Sequence, residues 1–240
     1  MTWLNGPLLG FDLETTGTDP YTCHAVDMAL VLNDPEEKDI LSWEWLINPG
    51  VDIPLNATAI HGISTEQVVE KGVSPDKAVS ELAAVLDMIN TAYGGIPPVC
   101  IYNAGYDIPI VIRMSGGKVG INWTVLDPMV IDKELDKYRP GKRTLTSVSA
   151  AHKLGVTNAH RAVGDCMSTT RLMRAIGRKY PRLAESDPVS IHEMEVTAYK
   201  EQMEQFINYR RVNGDAEFNV NTEWPYSDDI FIKMRDENLC

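Results

Sequence analysis

An apolar run that ends in two closely spaced acidic residues is the feature that most constrains this chain. Residues 8–11 are apolar, and Asp12 and Glu14 follow them directly. Such a run predicts a buried strand, and Thr16-Gly17 predicts the turn that ends it. Because successive side chains of a strand point to opposite faces, Asp12 and Glu14 are expected side by side on one face. Two carboxylates that close repel each other unless a cation lies between them, so this strand end is a candidate metal site.

Strand and helix patterns alternate along the following part of the chain. Two apolar runs, residues 25–32 and 40–47, predict a hairpin after the first strand, and residues 97–102 predict a fourth strand. Apolar residues at helical spacing predict helices over residues 75–94, 144–154 and 162–180, and a shorter helix from residue 107. Three antiparallel strands followed by alternating helices and strands predict an α/β fold with a mixed sheet flanked by helices.

A helical extension is predicted at the C-terminal end. Residues 182–189 have the composition of a linker, and Ser190 begins a capping-box pattern that predicts a further helix. That helix is expected to end at residues 213–214, followed by a loose tail rich in aromatic and acidic residues. We therefore expect a main domain over residues 1–181 and an extension over residues 182–240 that packs on it or extends from it.

The composition argues against several function classes. The 240-residue chain has a formal net charge of −12, which is unlike a protein that grips nucleic acid through a broad basic face. It still allows an enzyme that contacts a polyanion locally. The four cysteines have neither zinc-site nor disulfide-framework spacing, so a reducing cytoplasm is the expected location. No apolar stretch of the sequence approaches the ~20 residues of a membrane span, so no membrane partner is expected.

Two more aspartates and one histidine stand where predicted helices begin. Asp107 follows the fourth strand pattern, and His160 and Asp165 flank the start of the last long helix before the extension. Each aspartate alone has a structural explanation, because an acidic side chain at a helix start caps the helix and suits its dipole. Together with Asp12 and Glu14, however, these residues make a set of four carboxylates and one imidazole.

The order and spacing of this set resemble the DEDDh 3′–5′ exonuclease family. The matching segments are Asp12-x-Glu14 at a strand end, residues 61–63 before a helix, Asn103-x-x-x-Asp107 at a strand–helix junction, residues 140–145, and His160-x-x-x-x-Asp165 at a helix start. The resemblance covers roughly residues 8–178. Within the family, the chain is similar to the proofreading epsilon subunit of bacterial DNA polymerase III. The resemblance implies a ribonuclease-H-like fold.

The resemblance also implies a two-metal site. Carboxylate oxygens are the ligands that Mg²⁺ and Mn²⁺ prefer, and two cations about 3.5–4 Å apart promote phosphodiester cleavage by activating water and neutralising charge. The metal ligands implied by the resemblance are Asp12, Glu14, Asp107 and Asp165. His160, with an unperturbed pKa of about 6.5, would be the general base that takes a proton from the attacking water. A related subfamily has a tyrosine four residues before the last aspartate, but this chain has Arg161 there.

Contacts with the terminal nucleotide are implied for Leu13, Thr15, His61 and Tyr106. Three of these residues have structural alternatives. Thr15 is also a turn residue, Tyr106 suits core packing as well as base stacking, and a backbone group can satisfy His61. In the second strand, where the family often has a glutamate, this chain has Asp27. That position is not one of the four metal ligands.

The leading hypothesis is a 3′–5′ exonuclease that releases nucleoside monophosphates from single-stranded DNA ends, in proofreading or end trimming. Its partners would be DNA 3′ ends and, for a role in DNA replication or repair, a DNA polymerase. Two alternatives stay open. An exoribonuclease of the ribonuclease T or oligoribonuclease type would contact the 2′-hydroxyl of RNA. A non-catalytic nucleic-acid-binding or polymerase-associated module would keep the fold without the activity.

Overall fold

A five-stranded mixed sheet forms the centre of the computed structural model, which describes residues 2–35, 40–155 and 161–236. The strands are β1 (Leu8–Thr15), β2 (Ala25–Asn33), β3 (Ile40–Leu46), β4 (Val99–Cys100) and β5 (Val125–Leu126), in the spatial order β3-β2-β1-β4-β5. The first three strands pair antiparallel, and β4 and β5 run parallel to β1. The predicted mixed sheet is therefore confirmed.

Helices cover both faces of the sheet. They are α1 (Leu55–His61), α2 (Thr65–Lys71), α3 (Pro75–Tyr93), α4 (Ala104–Met114), α5 (Pro128–Leu135), α6 (Leu145–Ala151), α7 (Ala162–Lys179), α8 (Pro181–Glu185), α9 (Pro188–Val212) and α10 (Asp229–Asp236). None of the helices in the described part of the chain is both long enough and apolar enough to cross a membrane.

The alternation of side chains along β1 decides which face carries the acidic pair. Phe11 packs in the larger core with residues of α3 and α4. Leu8 points to the opposite face and packs in a second core with Leu172 of α7. Since Asp12 and Glu14 lie an even number of residues from Leu8, they point to the α7 face.

Helix α7 lies unusually close to β1. A Cβ atom added at Gly10 would lie only 2.7 Å from the carbonyl oxygen of Cys166, and one added at Gly177 would lie 2.6 Å from the Trp3 ring. Glycine is therefore required at position 10, because any side chain there would push strand and helix apart, while Gly177 lets the Trp3 ring pack directly against α7. The close approach places the first turn of α7 against the end of β1.

The bounds of α3 agree with the prediction. The Ser74 hydroxyl accepts a hydrogen bond from the backbone N–H of Lys77 at 3.3 Å, and Pro75 is the first helical residue. Gly94 ends the helix with a left-handed φ of 70°. These local signals define where α3 begins and ends.

The predicted linker over residues 182–189 is wrong. Residues 182–185 belong to the short helix α8, and α9 begins at Pro188, ahead of the predicted capping box. The cap of α9 is Asp187, whose Oδ1 accepts a hydrogen bond from the backbone N–H of Ser190 at 3.0 Å. An aspartate cap followed by proline at the first helical position is a stronger start signal than the serine at position 190.

The predicted loose tail is also wrong for the described residues up to 236. Trp224, Ile230 and Met234 are buried in the larger core, and the last two belong to α10. The tail packs because its apolar residues meet α4, a contact that no local pattern reveals. Four short elements, α1, α2, α5 and β5, were not predicted either.

Candidate active site

Three of the four predicted metal ligands come together at the end of β1. One carboxylate oxygen from each of Asp12, Glu14 and Asp165 lies within 4.8 Å of the other two. The first two residues are next-nearest neighbours on β1, and Asp165 belongs to the first turn of α7. All three side chains are partly exposed, so solvent and a ligand can reach them.

The fourth predicted ligand, Asp107, is buried beside this group but is not one of the three clustered residues. It lies in the first turn of α4, and its Oδ1 accepts a hydrogen bond from the backbone N–H of Leu13 at 3.1 Å. Since Leu13 stands between Asp12 and Glu14, this bond ties α4 to the strand segment that carries the acidic pair.

Two carboxylates of the cluster, those of Asp12 and Glu14, hold their protons more tightly than ordinary acids. Burial raises the pKa of Asp12 well above its usual value, and repulsion from Asp107 and Asp165 adds to the effect. Burial also raises the pKa of Glu14 to about 7, with Asp165 as the strongest charged contributor. Such groups gain most from a bound cation, because it neutralises the repulsion and displaces the protons.

A second acidic pair extends the cluster along β2 and β3. Asp27 is paired with Glu14 across β1 and β2, and it is 3% exposed. Burial and then repulsion from Glu44 raise the pKa of Asp27 to about 7, while Arg161 opposes the rise. The guanidinium Nη2 of Arg161 lies 3.4 Å from Oε1 of Glu44. Sequence reasoning did not place Glu44 in the site, because only the strand register brings it there, whereas Arg161 reaches it from the start of α7.

A pocket of about 420 Å³ borders this second pair. Its polar lining includes Asp27, Glu44, Arg161, His61 and Gln67. The pocket therefore lies next to Glu14 through its strand partner Asp27 and has the size of a small-ligand site.

The comparisons with known proteins agree with this arrangement. A family model described as RNase_T, exonuclease, matches residues 9–173. This chain belongs to the RNase T exonuclease family. The family resemblance predicted from the five sequence segments is confirmed.

Known members and solved structures show how far the likeness extends. The chain is 26% identical over 191 residues to an uncharacterized exonuclease, CP81, of Escherichia phage 186, covering 73% of this chain and 91% of the relative. It is similar in structure to E. coli Exonuclease I in complex with a dT13 oligonucleotide (TM-score 0.59, 18% identity, 74% of this chain and 42% of the other). It is also similar to Exonuclease X in complex with 5′ overhanging duplex DNA (TM-score 0.55, 22% identity, 77% and 99%). The chain thus spans less than half of Exonuclease I. The ribonuclease-H-like exonuclease fold is confirmed.

The residues predicted to contact a terminal nucleotide surround the last residue of β1. Thr15 is 8% exposed, its hydroxyl donates to the carbonyl oxygen of Gly17 at 2.9 Å, and it contacts the Tyr106 hydroxyl. His61 is buried, and its Nδ1 accepts from the backbone N–H of Ile63 at 3.1 Å. Burial lowers the pKa of His61, and the backbone of Thr15 opposes this shift.

Leu13 is oriented differently from the other predicted contacts. Its side chain is 5% exposed and packs in the larger core. Only its backbone lies at the site, through the hydrogen bond to Asp107. The predicted general base, His160, lies outside the described residues. The roles of these residues in catalysis and substrate binding stay predictions.

The segment 140–145 is held by a buried ion-pair network. Arg139 and Arg143 both form ion pairs with Asp132 of α5, whose side chain is 1% exposed. The carbonyl oxygen of Arg143 accepts a hydrogen bond from the Tyr102 hydroxyl at 2.6 Å. Arg143 therefore has a structural explanation within the family motif that contains it.

Proposed function

We propose that this protein is a metal-dependent 3′–5′ exonuclease that releases nucleoside monophosphates from single-stranded DNA ends. The observation that carries the proposal is the convergence of Asp12, Glu14 and Asp165, with Asp107 bonded to the same strand, in a member of an exonuclease family. Carboxylates with raised pKa values that cluster at the end of one strand are a mark of a functional site.

The donor set fits divalent cations that prefer oxygen. Asp12, Glu14 and Asp165 would hold a Mg²⁺ or Mn²⁺ ion, and Asp107 would complete a two-ion site with the oxygen not bonded to Leu13. When bound, such ions activate water and neutralise charge on the scissile phosphate. The chain's own contribution is to hold these four groups in place through the contacts between β1, α4 and α7.

The general base that we propose is His160. It stands one residue before Arg161, the residue that precedes α7, and five residues before Asp165. A histidine so placed can take a proton from the attacking water near neutral pH. The charge of Arg161 lowers the pKa values of Glu14 and Asp27. Arg161 is therefore not interchangeable with the tyrosine that the related subfamily has at this position.

The substrate end would lie between the carboxylates and the pocket of about 420 Å³. His61 lines that pocket and also neighbours the Thr15 backbone, which connects the pocket to the end of β1. Similarity to structures described with a dT13 oligonucleotide and an overhanging DNA duplex supports DNA as the polymer. We propose proofreading or end trimming as the role, with a DNA polymerase as the partner in the first case.

The test uses one oligonucleotide sequence made as single-stranded DNA and as RNA, each labelled at the 5′ end in one sample and at the 3′ end in another. Each is incubated with Mg²⁺, with Mn²⁺ and with a chelator, alongside Asp12→Ala. We expect 5′-labelled DNA to shorten stepwise and 3′-labelled DNA to release a labelled mononucleotide at once, only with metal and only in the wild type. Immediate release of a labelled mononucleotide from the 5′-labelled strand would show that digestion runs from the 5′ end instead. Faster cleavage of RNA than of DNA would favour the exoribonuclease alternative. Absence of cleavage of either polymer would favour a non-catalytic binding module.

A further inference from the structure

A buried hydrogen-bonded chain connects α9 to the acidic end of β1. It begins at Glu195 of α9, which is 0% exposed and whose Oε1 accepts a hydrogen bond from the backbone N–H of Asp127 at 2.5 Å. Asp127 directly follows β5 and is also 0% exposed. Helix α9 lies beyond residues 9–173, the part of the chain that matches the exonuclease family.

The carboxylate of Asp127 fixes the turn that starts α4. Its Oδ1 accepts from the backbone N–H of Asn103 at 3.1 Å and of Met129 at 2.8 Å, and its Oδ2 accepts from that of Ala104 at 2.9 Å. Asn103 has a left-handed backbone, with φ 68° and ψ 49°. This conformation is uncommon for a residue other than glycine, and the hydrogen bonds that Asp127 accepts from the N–H groups of Asn103 and Ala104 hold it in place.

Helix α4 carries the chain of contacts to the acidic cluster. Asp107 lies one turn after Asn103, and its Oδ1 accepts from the backbone N–H of Leu13, between Asp12 and Glu14. A rotation of the first turn of α4 would therefore move the Asp107 carboxylate relative to β1. The path from Glu195 to Leu13 uses only hydrogen bonds and one helical turn.

We propose that Asp127 and Glu195 are positioning residues that fix the orientation of the Asp107 carboxylate for metal binding. This inference rests on the proposed function, in which Asp107 is a metal ligand. The C-terminal extension then contributes to the active site through Glu195, although none of its residues belongs to the metal-ligand set.

The burial of two neighbouring carboxyl groups, those of Asp127 and Glu195, supports a positioning role over simple packing. Burying two carboxyl groups next to each other opposes folding, because each must leave water and each repels the charged form of the other. Burial raises the pKa of both groups, and Asp127 further raises that of Glu195. Three backbone N–H donors favour the charged form of Asp127, whereas the Glu195 carboxyl accepts from the single backbone N–H of Asp127.

The decisive variant is Asp127→Asn in the full chain. The amide can keep its oxygen on Asn103 and Met129, and thereby the cap of α5, but it turns an NH2 group towards the N–H of Ala104. We expect Mn²⁺ affinity, measured by calorimetry, to fall by about 10- to 100-fold, as for other groups that orient a metal ligand. Amide hydrogen exchange at Ala104 and Leu13, measured without metal, should become faster.

Two further variants separate positioning from folding. Glu195→Gln keeps the acceptor for the Asp127 N–H and should retain the wild-type Mn²⁺ affinity, whereas Glu195→Ala should lose affinity in the same direction as Asp127→Asn. This pair decides the matter if Asp127→Asn does not fold. Adding Asn103→Gly to Asp127→Asn should restore part of the affinity, because glycine adopts the left-handed backbone without strain.

The possible failures can be told apart. If the wild type itself binds no Mn²⁺, the proposed metal centre is wrong. If the wild type binds Mn²⁺, but Asp127→Asn and Glu195→Ala bind it equally well and the Leu13 amide is equally protected in all three, the positioning role is overturned. A loss of affinity in Glu195→Gln as large as in Glu195→Ala would also overturn it, because the acceptor is then irrelevant.

Discussion

Replacing Gly10 by alanine should disturb both the stability of the protein and its acidic cluster. The added Cβ would lie 2.7 Å from the Cys166 carbonyl oxygen, about 0.7 Å short of the 3.4 Å at which ordinary contact begins. That oxygen belongs to the backbone of α7, so no side-chain rotation relieves the clash. Helix and strand must therefore separate by several tenths of an ångström, and Asp165 moves with α7 while Asp12 moves with β1.

The magnitude follows from the two consequences of this separation. Overpacking of a core contact costs roughly 1–3 kcal/mol of the free energy of unfolding. Displacing a catalytic group by up to 1 Å can lower the rate by about 100-fold, so we expect Gly10→Ala to reduce the cleavage rate by roughly 10- to 100-fold. Denaturant unfolding and single-turnover cleavage of labelled single-stranded DNA would measure the two effects.

The matched control is Gly95→Ala, because a Cβ at Gly95 meets nothing within 4 Å and needs no unusual backbone. It should leave both stability and cleavage nearly unchanged. If Gly10→Ala behaves like Gly95→Ala in both assays, the close contact between β1 and α7 does not set the geometry of the cluster.

Three further predictions concern ionisable side chains. The pKa of Glu195 is raised in the folded state, so the folded state binds this proton more tightly than the unfolded state does. The free energy of unfolding should therefore fall as pH rises above about 4.3. For this one group, the fall is at most about 1.4 kcal/mol per pH unit. Glu195→Gln should show a shallower fall in a series of unfolding curves, and identical slopes would contradict this. Asp132→Asn leaves Arg139 and Arg143 without their buried charged partner. It should lower the free energy of unfolding by roughly 3–5 kcal/mol, and a loss below about 1 kcal/mol would refute this prediction. Since the pKa of Glu14 is about 7, Mn²⁺ binding at pH 6.5 should release protons, seen as buffer-dependent heats in calorimetry. Binding heats that do not depend on the buffer would argue against proton release from Glu14.

Local signals in the sequence predicted the elements that carry the acidic cluster. The strand end at Asp12 and Glu14, the caps of α3 and the helical spacing of apolar residues in α7 each depend on a few neighbouring residues. These are the features for which side-chain periodicity and capping give a direct physical reason. The family resemblance then indicated which of the acidic residues belong to one site.

Contacts between distant parts of the chain were beyond local patterns. Asp127 and Glu195 are 68 residues apart, and neither has a spacing that indicates a partner. Strand β5 has only two residues, too few for a recognisable alternation, so the position of Asp127 at its end was not apparent. Glu44 joined the site only through the register between β2 and β3, which one sequence does not fix.

Thermal unfolding of the wild type and of Asp12→Asn, each with chelator and with Mn²⁺, tests most directly that the carboxylates form a metal centre. In chelator, Asp12→Asn should unfold at the higher temperature, because it removes a charge that is repelled by Asp107, Asp165 and Glu14. Mn²⁺ should raise the unfolding temperature of the wild type and reverse the order, since only the intact site binds the ion tightly. A wild type that is the more stable of the two in chelator, and that Mn²⁺ leaves unchanged, would contradict the account.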